Sequence, residues 1–164
     1  MRDLTTAYIG LGANLGDACA AVLQAAQEIA ALDRVVLTRQ SSLYASAPVD
    51  AHGPDYVNAV VEVQTRLRAH ELLEQLQAIE TRAGRLRPYR NAPRTLDLDL
   101  LLFGDVRMDS PALILPHPRM AQRAFVLVPL AEIAPQAVAA GQMQAVQGQT
   151  IRKLGVGGAA PAIE

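Results

Sequence analysis

Hydrophobic residues recur along the chain with two different periods, and each period predicts a type of element. In residues 18–32 and 70–84 they stand three or four positions apart, which predicts helices that bury one stripe. Elsewhere, short segments are wholly apolar or alternate apolar and polar residues, which predicts strands. In chain order the pattern predicts a strand at 5–11, a helix at 18–32, strands at 35–44 and 56–67, a helix at 70–84, a strand within 94–103, a short edge strand at 106–108 and a helical segment at 119–134.

The order of these elements, without the additions after residue 103, is strand, helix, strand, strand, helix, strand. That order predicts an α+β fold with a ferredoxin-like βαββαβ core, in which an antiparallel sheet carries two helices on one face. The helical segment at 119–134 would cover part of the other face, so that helices lie on both faces. We expect a single domain over residues 1–154 and a frayed tail of mostly small residues at 155–164.

The strand within 94–103 carries two acidic residues. Asp97 and Asp99 are two positions apart, so their carboxylates project from the same face of the strand, about 7 Å apart. Two carboxylates at that spacing suit one hard cation or a pair of cations, and a solvated strand face is the alternative. Leu101 continues the same face, which places the acids where the strand enters the core. Like charges there favour a counter-ion, which Arg94 or a metal would supply.

The segment that precedes this strand is strongly cationic. Residues 85–94 contain four arginines and two prolines, and the prolines exclude a helix. An ordinary linker carries mixed charges, whereas this segment carries only positive ones. Arginine binds phosphate bidentately, so a cationic segment beside two carboxylates predicts that a polyanion lies between them.

Several other positions have two interpretations each. The glycine-rich turn at 12–17 lacks the lysine and the glycine spacing of a P-loop, so we interpret it as a tight structural turn, with a pocket-lining Asn14 as the alternative. Gln77 and Glu80 are neighbours on the second predicted helix, where a solvated face is the alternative to a binding role. His117 stands between two prolines at a predicted helix start, where a structural role and a contact to a polar ligand both remain open.

Composition and charge narrow the classes of function. Of the 164 residues, 51% are hydrophobic and 19% are charged, which is typical of a globular protein. The net charge of −1 lacks the basic field of non-specific nucleic-acid binding, and no apolar run reaches the roughly 18 residues of a membrane span. Cys19 is the single cysteine, which suits a reducing compartment. We expect a cytoplasmic protein without nucleic-acid or membrane partners, and we predict a monomer.

Five sequence blocks together resemble one enzyme family. They are residues 12–17 (GANLGD), 54–59 (PDYVNA), 93–99 (PRTLDLD), 116–120 (PHPRM) and 123–135, within a match that covers residues 6–135. The arginine–diacid block is highly specific, and the five blocks occur in the family's order. On these residues the chain resembles the 6-hydroxymethyl-7,8-dihydropterin pyrophosphokinases of folate biosynthesis.

The resemblance implies a reaction and its ligands. The β,γ-pyrophosphoryl group of ATP would pass to the hydroxymethyl oxygen of the pterin, giving AMP and the pterin diphosphate. Asp97 and Asp99 match the family's ligands for two Mg²⁺ ions, which would bridge the phosphates and the attacking hydroxyl. The other implied roles are ATP binding for Gln77, Glu80, Arg94, His117 and Arg123, and closure over the phosphates for Arg85 and Arg87. The implied catalytic set is Arg85, Arg87, Arg94, Asp97 and Asp99.

The resemblance also implies a pterin pocket. Tyr56 and Phe125 match the two aromatic residues that enclose the pterin ring, and Asn58 matches the amide that hydrogen-bonds its edge. In the family, one wall of the pterin pocket is formed by backbone, and the segment that contains Ser46, Ala47 and Val49 matches that wall.

The chain departs from the family pattern at three places. It has no Trp, although some members carry one in the arginine-rich loop, and Tyr89 or Asn91 stands near that place. Ala13 replaces the usual Ser, and Ala47 stands where Pro is common. These departures bear on pterin affinity and on closure of the loop rather than on the chemistry.

Three other functions fit parts of the sequence. A ferredoxin-like RNA-binding module would need exposed aromatic residues and a basic face, whereas the chain has two Phe, four Tyr and a net charge of −1. Another metal-dependent nucleotidyl or phosphoryl transferase, or a nuclease, would use the same diacid but leaves the Pro-His-Pro and Tyr-x-Asn blocks unexplained. An ATP-regulated binding domain without catalysis is the third, and pterin-dependent release of AMP would exclude it.

Overall fold

The computed structural model describes residues 3–14, 17–47, 55–84 and 96–154. These residues form an α+β structure with an antiparallel sheet and helices on both of its faces. The strands are β1 (Thr5–Ala13), β2 (Val35–Gln40), β3 (Tyr44–Ser46), β4 (Tyr56–Thr65), β5 (Asp97–Phe103), β6 (Met108–Asp109), β7 (Ile114–Leu115) and β8 (Ile151–Lys153). The helices are α1 (Ala18–Ala30), α2 (Ala69–Gly84), α3 (Ala124–Ile133) and α4 (Ala140–Val146), with 3-10 turns at Met120–Gln122 and Pro135–Ala137.

The main sheet places the acidic strand at one edge and the long hydrophobic strands at its centre. Its order is β5-β1-β4-β3-β8, and β2 pairs with β4 beside β3, while β6 and β7 form a separate pair. All of these pairings are antiparallel. The register sets Gly12 of β1 opposite Asn58 of β4 on one side and opposite Asp97 of β5 on the other.

Alternation along the strands divides the core into two clusters, one on each face of the sheet. The first lies under α1 and α2, and its fully buried members include Ile9, Val22, Ile29, Val61, Val63, Leu72, Leu76 and Ile79. The second lies under α3 and α4 and includes Tyr8, Val60, Leu101, Leu127 and Leu130. Since β1, β4 and β5 contribute to both clusters, the sheet is the layer that both pairs of helices need in order to bury their apolar faces.

Most of the predicted elements are present, but the second strand was predicted wrongly as continuous from 35 to 44. It is interrupted between β2 and β3, where the hydroxyl of Ser41 accepts a hydrogen bond from the backbone N–H of Val60 at 2.9 Å. Ser42 likewise directs its side chain away from the ladder, to Glu132. Serine hydroxyls that bond to the backbone compete with regular strand pairing, which explains the break.

The helical segment predicted at 119–134 was also wrong in its extent. A 3-10 turn comes first, Arg123 is extended (φ −126°, ψ 112°), and α3 begins at Ala124. The N–H of Ala124 donates to the side-chain oxygen of Gln149 at 2.9 Å. The side chain of Gln149, which is distant in the sequence, thus accepts the hydrogen bond of an N–H at the start of α3. No residue near position 124 indicates this helix start in the sequence.

The last elements differ from the sequence prediction as well. The edge strand expected at 106–108 is Met108–Asp109, paired with β7, and neither α4 nor β8 was predicted. The tail at 155–164 lies outside the described residues, so its fraying stays a prediction. In the part of the chain that the structure describes, none of the helices combines the length and apolar character that crossing a bilayer requires.

Candidate active site

A cavity of about 880 Å³ opens on the face of the sheet that carries α3, beyond the start of that helix. Its floor consists of β1, β4 and β5, and its sides are the end of β3, residues 117–119 and the first turn of α3. It brings together Asn14, Ser46, Ala47, Tyr56, Asn58, Asp97, Asp99, His117, Arg123 and Phe125. Groups from five segments that are distant in the sequence therefore meet at one site.

Two glycines of β1 form the middle of the cavity floor. Gly10 and Gly12 stand two positions apart and face the cavity together. A Cβ atom at Gly12 would lie 3.2 Å from the amide nitrogen of Asn58, so a side chain there would push against that amide. The register Asn58–Gly12–Asp97 separates the amide from the carboxylate by two strand spacings, about 10 Å.

The two carboxylates occupy the edge strand at the far end of this floor. Asp97 and Asp99 are both half-buried and line the cavity, and Leu101, next on the same face, is fully buried. The prediction that the acids stand where the strand enters the core is confirmed. Carboxylate oxygens beside a water-accessible cavity suit Mg²⁺, which takes one or two carboxylates and completes its shell with water and phosphate oxygen. Among the described residues no set of three or more acidic, His or Cys side chains could hold a metal by itself.

His117 faces the outer carboxylate. Its Nε2 lies 3.9 Å from Oδ1 of Asp99, and its Nδ1 accepts a hydrogen bond from the N–H of Arg119 at 3.2 Å. Burial lowers the pKa of His117; Asp99 opposes this, and the positive charges of Arg123 and Arg119 add to it. The neutral imidazole therefore keeps its proton on Nε2, which makes it a hydrogen-bond donor toward an oxygen anion in the cavity.

Arg123 and Phe125 flank the start of α3. The guanidinium carbon of Arg123 lies 5.3 Å from the centre of the Phe125 ring, a cation–π contact that holds the two side chains together. Arg119 and Arg123 add two positive charges to the side of the cavity that faces the carboxylates. The aromatic ring and the guanidinium thus lie side by side in the lining of the cavity.

The opposite end of the cavity is an amide beside an aromatic residue. The hydroxyl of Ser46 donates to the side-chain oxygen of Asn58 at 2.6 Å, and both residues are buried. This bond occupies the amide's acceptor and leaves its NH₂ group as the donor toward a ligand. Tyr56 is half-buried on the same face as Asn58, as the alternation of β4 predicts.

A second, smaller cavity of about 260 Å³ shares Asp99, His117 and Pro118 with the first. It is mainly apolar and includes Leu73 of α2. Gln77 and Glu80 follow Leu73 by four and seven residues, so they continue the same helix face. Glu80 accepts a hydrogen bond at 2.7 Å from the N–H of Leu98, on the open edge of β5 between the two aspartates.

The structure thus brings most of the predicted site residues together around the larger cavity. Gln77 and Glu80 lie on α2 outside the described lining of both cavities, and their binding role stays a prediction. Val49, Arg85, Arg87 and Arg94 lie outside the described residues. Sequence reasoning missed Gly10, Gly12 and Arg119 as site residues. Two glycines at alternate positions of one strand are a signal of close approach that could have identified the floor.

Comparison with known proteins agrees with this geometry. Residues 8–135 match the family model for 7,8-dihydro-6-hydroxymethylpterin-pyrophosphokinase. A Bacillus subtilis protein named 2-amino-4-hydroxy-6-hydroxymethyldihydropteridine pyrophosphokinase is 45% identical over 131 residues, which are 79% of this chain and 78% of that protein. A Synechocystis protein of the same name is 44% identical over 129 residues, which are 79% of this chain and 66% of the relative.

Solved structures show the same fold at much lower identity. The crystal structure of a Plasmodium falciparum HPPK-DHPS triple mutant with STZ-DHP superposes with a TM-score of 0.64 at 13% identity over 83% of this chain. The chain spans 41% of the length of that solved chain, so the likeness concerns one part of it.

Proposed function

The chain belongs to the 7,8-dihydro-6-hydroxymethylpterin-pyrophosphokinase family, and from this premise we propose that it transfers the pyrophosphoryl group of ATP to the hydroxymethyl oxygen of 6-hydroxymethyl-7,8-dihydropterin. The hydroxymethyl oxygen forms a bond to the β-phosphorus. The bond between that phosphorus and the oxygen that joins it to the α-phosphorus breaks, AMP leaves and the hydroxyl proton is released. One observation carries the proposal: a single cavity joins the carboxylates of Asp97 and Asp99 to the aromatic and amide groups of Tyr56, Phe125 and Asn58.

The row Asn58–Gly12–Asp97 orients the pterin along the cavity floor. The amide of Asn58 donates to the polar edge of the ring, and Tyr56 and Phe125 cover its faces. About 10 Å separates Asn58 from Asp97, a span that the bicyclic ring and its hydroxymethyl arm bridge. The attacking oxygen therefore lies beside the carboxylates, where the phosphates of ATP belong. Ser46 and Ala47 form one wall of this slot, and we assign a role in pterin binding also to Val49, on family resemblance.

The smaller cavity is the proposed site of the nucleotide base. Its apolar lining suits a flat heterocycle, and a base bound there would direct the phosphates toward Asp99 and His117, which both cavities share. Gln77 and Glu80 continue the helix face that borders it, in keeping with a role in ATP binding. The phosphates then run toward Arg119 and Arg123, whose charges offset theirs.

Asp97 and Asp99 would hold the Mg²⁺ ions, two in number by family resemblance. When bound, the metal neutralises phosphate charge and supplies Lewis acidity at the transferred group. The side chains contribute position and electrostatics: the neutral His117 donates Nε2–H toward a phosphate oxygen, and Arg123 stabilises negative charge that builds up on the leaving group. We assign phosphate binding also to Arg85, Arg87 and Arg94.

Three broader assignments accompany the reaction. The strand order β5-β1-β4-β2, with α1 and α2 on one face, supports a ferredoxin-like βαββαβ core. We assign the activity to one domain, residues 1–154. We expect the enzyme to work in the cytoplasm, because a single cysteine suits a reducing compartment. We also expect it to be a monomer.

The decisive experiment follows nucleotide products with and without the pterin. Purified protein, ATP and Mg²⁺ should yield AMP only when 6-hydroxymethyl-7,8-dihydropterin is added, with one pterin diphosphate formed per AMP. Formation of ADP would indicate transfer of a single phosphoryl group, and release of pyrophosphate would indicate nucleotidyl transfer. Either product, or AMP formed without pterin, would contradict the proposal.

A further inference from the structure

Glu132, near the end of α3, makes a set of hydrogen bonds that the proposed reaction does not use. Its Oε1 accepts from the N–H of Ser42 at 3.0 Å and from the hydroxyl of Tyr44 at 2.8 Å. Its Oε2 accepts from the hydroxyl of Ser42 at 2.8 Å and lies 3.8 Å from Nζ of Lys153. It is the single ionisable residue in α3, whose sequence is otherwise apolar. One carboxylate therefore ties this helix to the chain that enters β3.

The two segments that Glu132 joins are two walls of the pterin slot. Tyr44 lies in the same row across the sheet as Asn58, and Ser46 lies opposite Tyr56, so β3 is aligned with the amide and with one aromatic ring. On α3, Phe125 precedes Glu132 by seven residues, which is almost two turns and about 10 Å along the axis. Both side chains therefore project from nearly the same face of the helix.

We propose that Glu132 is a positioning residue that sets the spacing between β3 and the Phe125 end of α3, and thereby the width of the pterin slot. This inference rests on the proposed function, because the slot is assigned to the pterin there. A flat ring held between two aromatic faces tolerates little change in their separation, since contacts weaken steeply with a gap of 0.5–1 Å. Packing of α3 on the sheet fixes the depth of the helix, and the bonds of Glu132 fix its position along β3.

A second glutamate provides a matched control. Glu62 on β4 accepts from the hydroxyls of Tyr8 at 2.6 Å and Thr38 at 2.7 Å and lies 3.8 Å from Nε of Arg39. It has the same kinds of partner as Glu132, namely a tyrosine, a small hydroxyl and a cation. Its partners lie on β1 and β2, outside the described lining of the cavity. One of them, Arg39, also donates to the carbonyl oxygen of Ile133 at 2.7 Å, a bond that Glu62→Ala leaves in place.

The test compares pterin affinity in Glu132→Ala, Glu132→Gln, Tyr44→Phe and Glu62→Ala, measured by titration in the presence of a non-hydrolysable ATP analogue and well below each variant's Tm. We expect Glu132→Ala to raise the pterin Kd about tenfold, with the Kd of the ATP analogue changed less than about twofold. Glu132→Gln keeps an oxygen acceptor for Ser42 and Tyr44 and should stay within about twofold of the wild type. Tyr44→Phe removes a single bond, folds with little risk and should show a smaller rise, and Glu62→Ala should lower Tm without changing the pterin Kd.

Each outcome bears on the inference. An unchanged pterin Kd in both Glu132→Ala and Tyr44→Phe would overturn it, as would an equal loss of ATP and pterin affinity or an equal rise in Glu62→Ala. Should Glu132→Ala fail to fold, Tyr44→Phe decides alone. If the wild type neither binds pterin nor releases AMP with it, the proposed function fails and takes the inference with it; a wild type that does both, with insensitive variants, refutes the inference alone.

Discussion

Strands β4 and β5 present two very different faces to the two sides of the sheet. Toward α1 and α2 they direct Val61, Val63, Leu98 and Leu100, all of which are buried in one apolar cluster. Toward α3 the same strands direct an amide and two carboxylates. Where the strands border the cavity, adjacent residues thus belong alternately to the core and to the candidate site; farther along, Val60 and Leu101 face α3 and are buried in the second cluster.

The difference between the faces shows how this small fold supports a polar site. The apolar face supplies the free energy that holds the strands, at about 25 cal/mol for each Å² buried. The other face can then hold like charges such as Asp97 and Asp99 close together, because strand position does not depend on their interaction. Stability and catalysis should therefore respond to substitutions on opposite faces of the sheet.

The largest effect is expected on the polar face. Asp97→Ala or Asp99→Ala should lower kcat by about 10³-fold or more, since in the proposed mechanism each removes a metal ligand that helps to stabilise charge in the transition state. The free energy of unfolding should change by less than about 1 kcal/mol, because relief of carboxylate repulsion offsets lost packing. Steady-state kinetics at saturating Mg²⁺ and urea unfolding measure the two quantities. Asp105→Ala, on the exposed turn after β5, is the control. A kcat above about a tenth of wild type in either site variant would show that Asp97 and Asp99 are not the metal ligands.

A substitution behind the apolar face should do the reverse. Leu76 of α2 is fully buried against the strands, and Leu76→Ala should reduce the free energy of unfolding by about 3 kcal/mol through the cavity it creates. At a temperature where the variant remains folded, kcat should stay within about twofold of wild type. Urea unfolding and kinetics on the same preparation provide the comparison. A large fall in kcat with little loss of stability would mean that the faces are coupled.

Sequence reasoning was accurate where a regular pattern carries the information, and this explains which parts it missed. The 3.6-residue period located α1 and α2, and the alternation at Asp97, Asp99 and Leu101 gave the correct orientation of the acidic strand. The break before β3 and the start of α3 depend on Ser41 and on Gln149, whose partners are distant in the chain. The roles of the predicted site residues came from family resemblance, and the geometry groups them without testing those roles.

The next effect in size separates two residues of the same type. Phe125 lines the cavity, whereas Phe103, the other Phe of the chain, is buried in the core under α1 and α2. Phe125→Ala should weaken the binding free energy of the pterin by about 1–3 kcal/mol, through lost stacking and burial. The affinity for ATP alone should change little. Phe103→Leu should lower stability and leave both affinities unchanged. Titration with a non-hydrolysable ATP analogue measures this, and unchanged pterin affinity in Phe125→Ala would place the pocket elsewhere.

The smallest effect concerns a polar group that lies on the same face as the active site but serves the structure. Burial alone would raise the pKa of Glu132, but hydrogen bonds from Ser42 and Tyr44 and the charge of Lys153 outweigh it and lower the pKa below 4.5. A carboxyl group whose pKa is lower in the folded state stabilises the protein above the unfolded pKa, and this contribution is lost as the pH falls through the folded value.

Glu132→Gln should therefore be less stable than wild type at pH 7, by less than about 1 kcal/mol because the group is partly exposed. The difference should shrink as the pH falls below 4.5, since only the wild type loses a carboxylate there. Urea unfolding of both proteins at pH 7 and at two pH values below 4.5 measures it. A stability difference that stays constant across this range would show that the charge of the Glu132 carboxylate contributes nothing to stability. The separation between a stabilising face and a catalytic face would then hold for Glu132 as well.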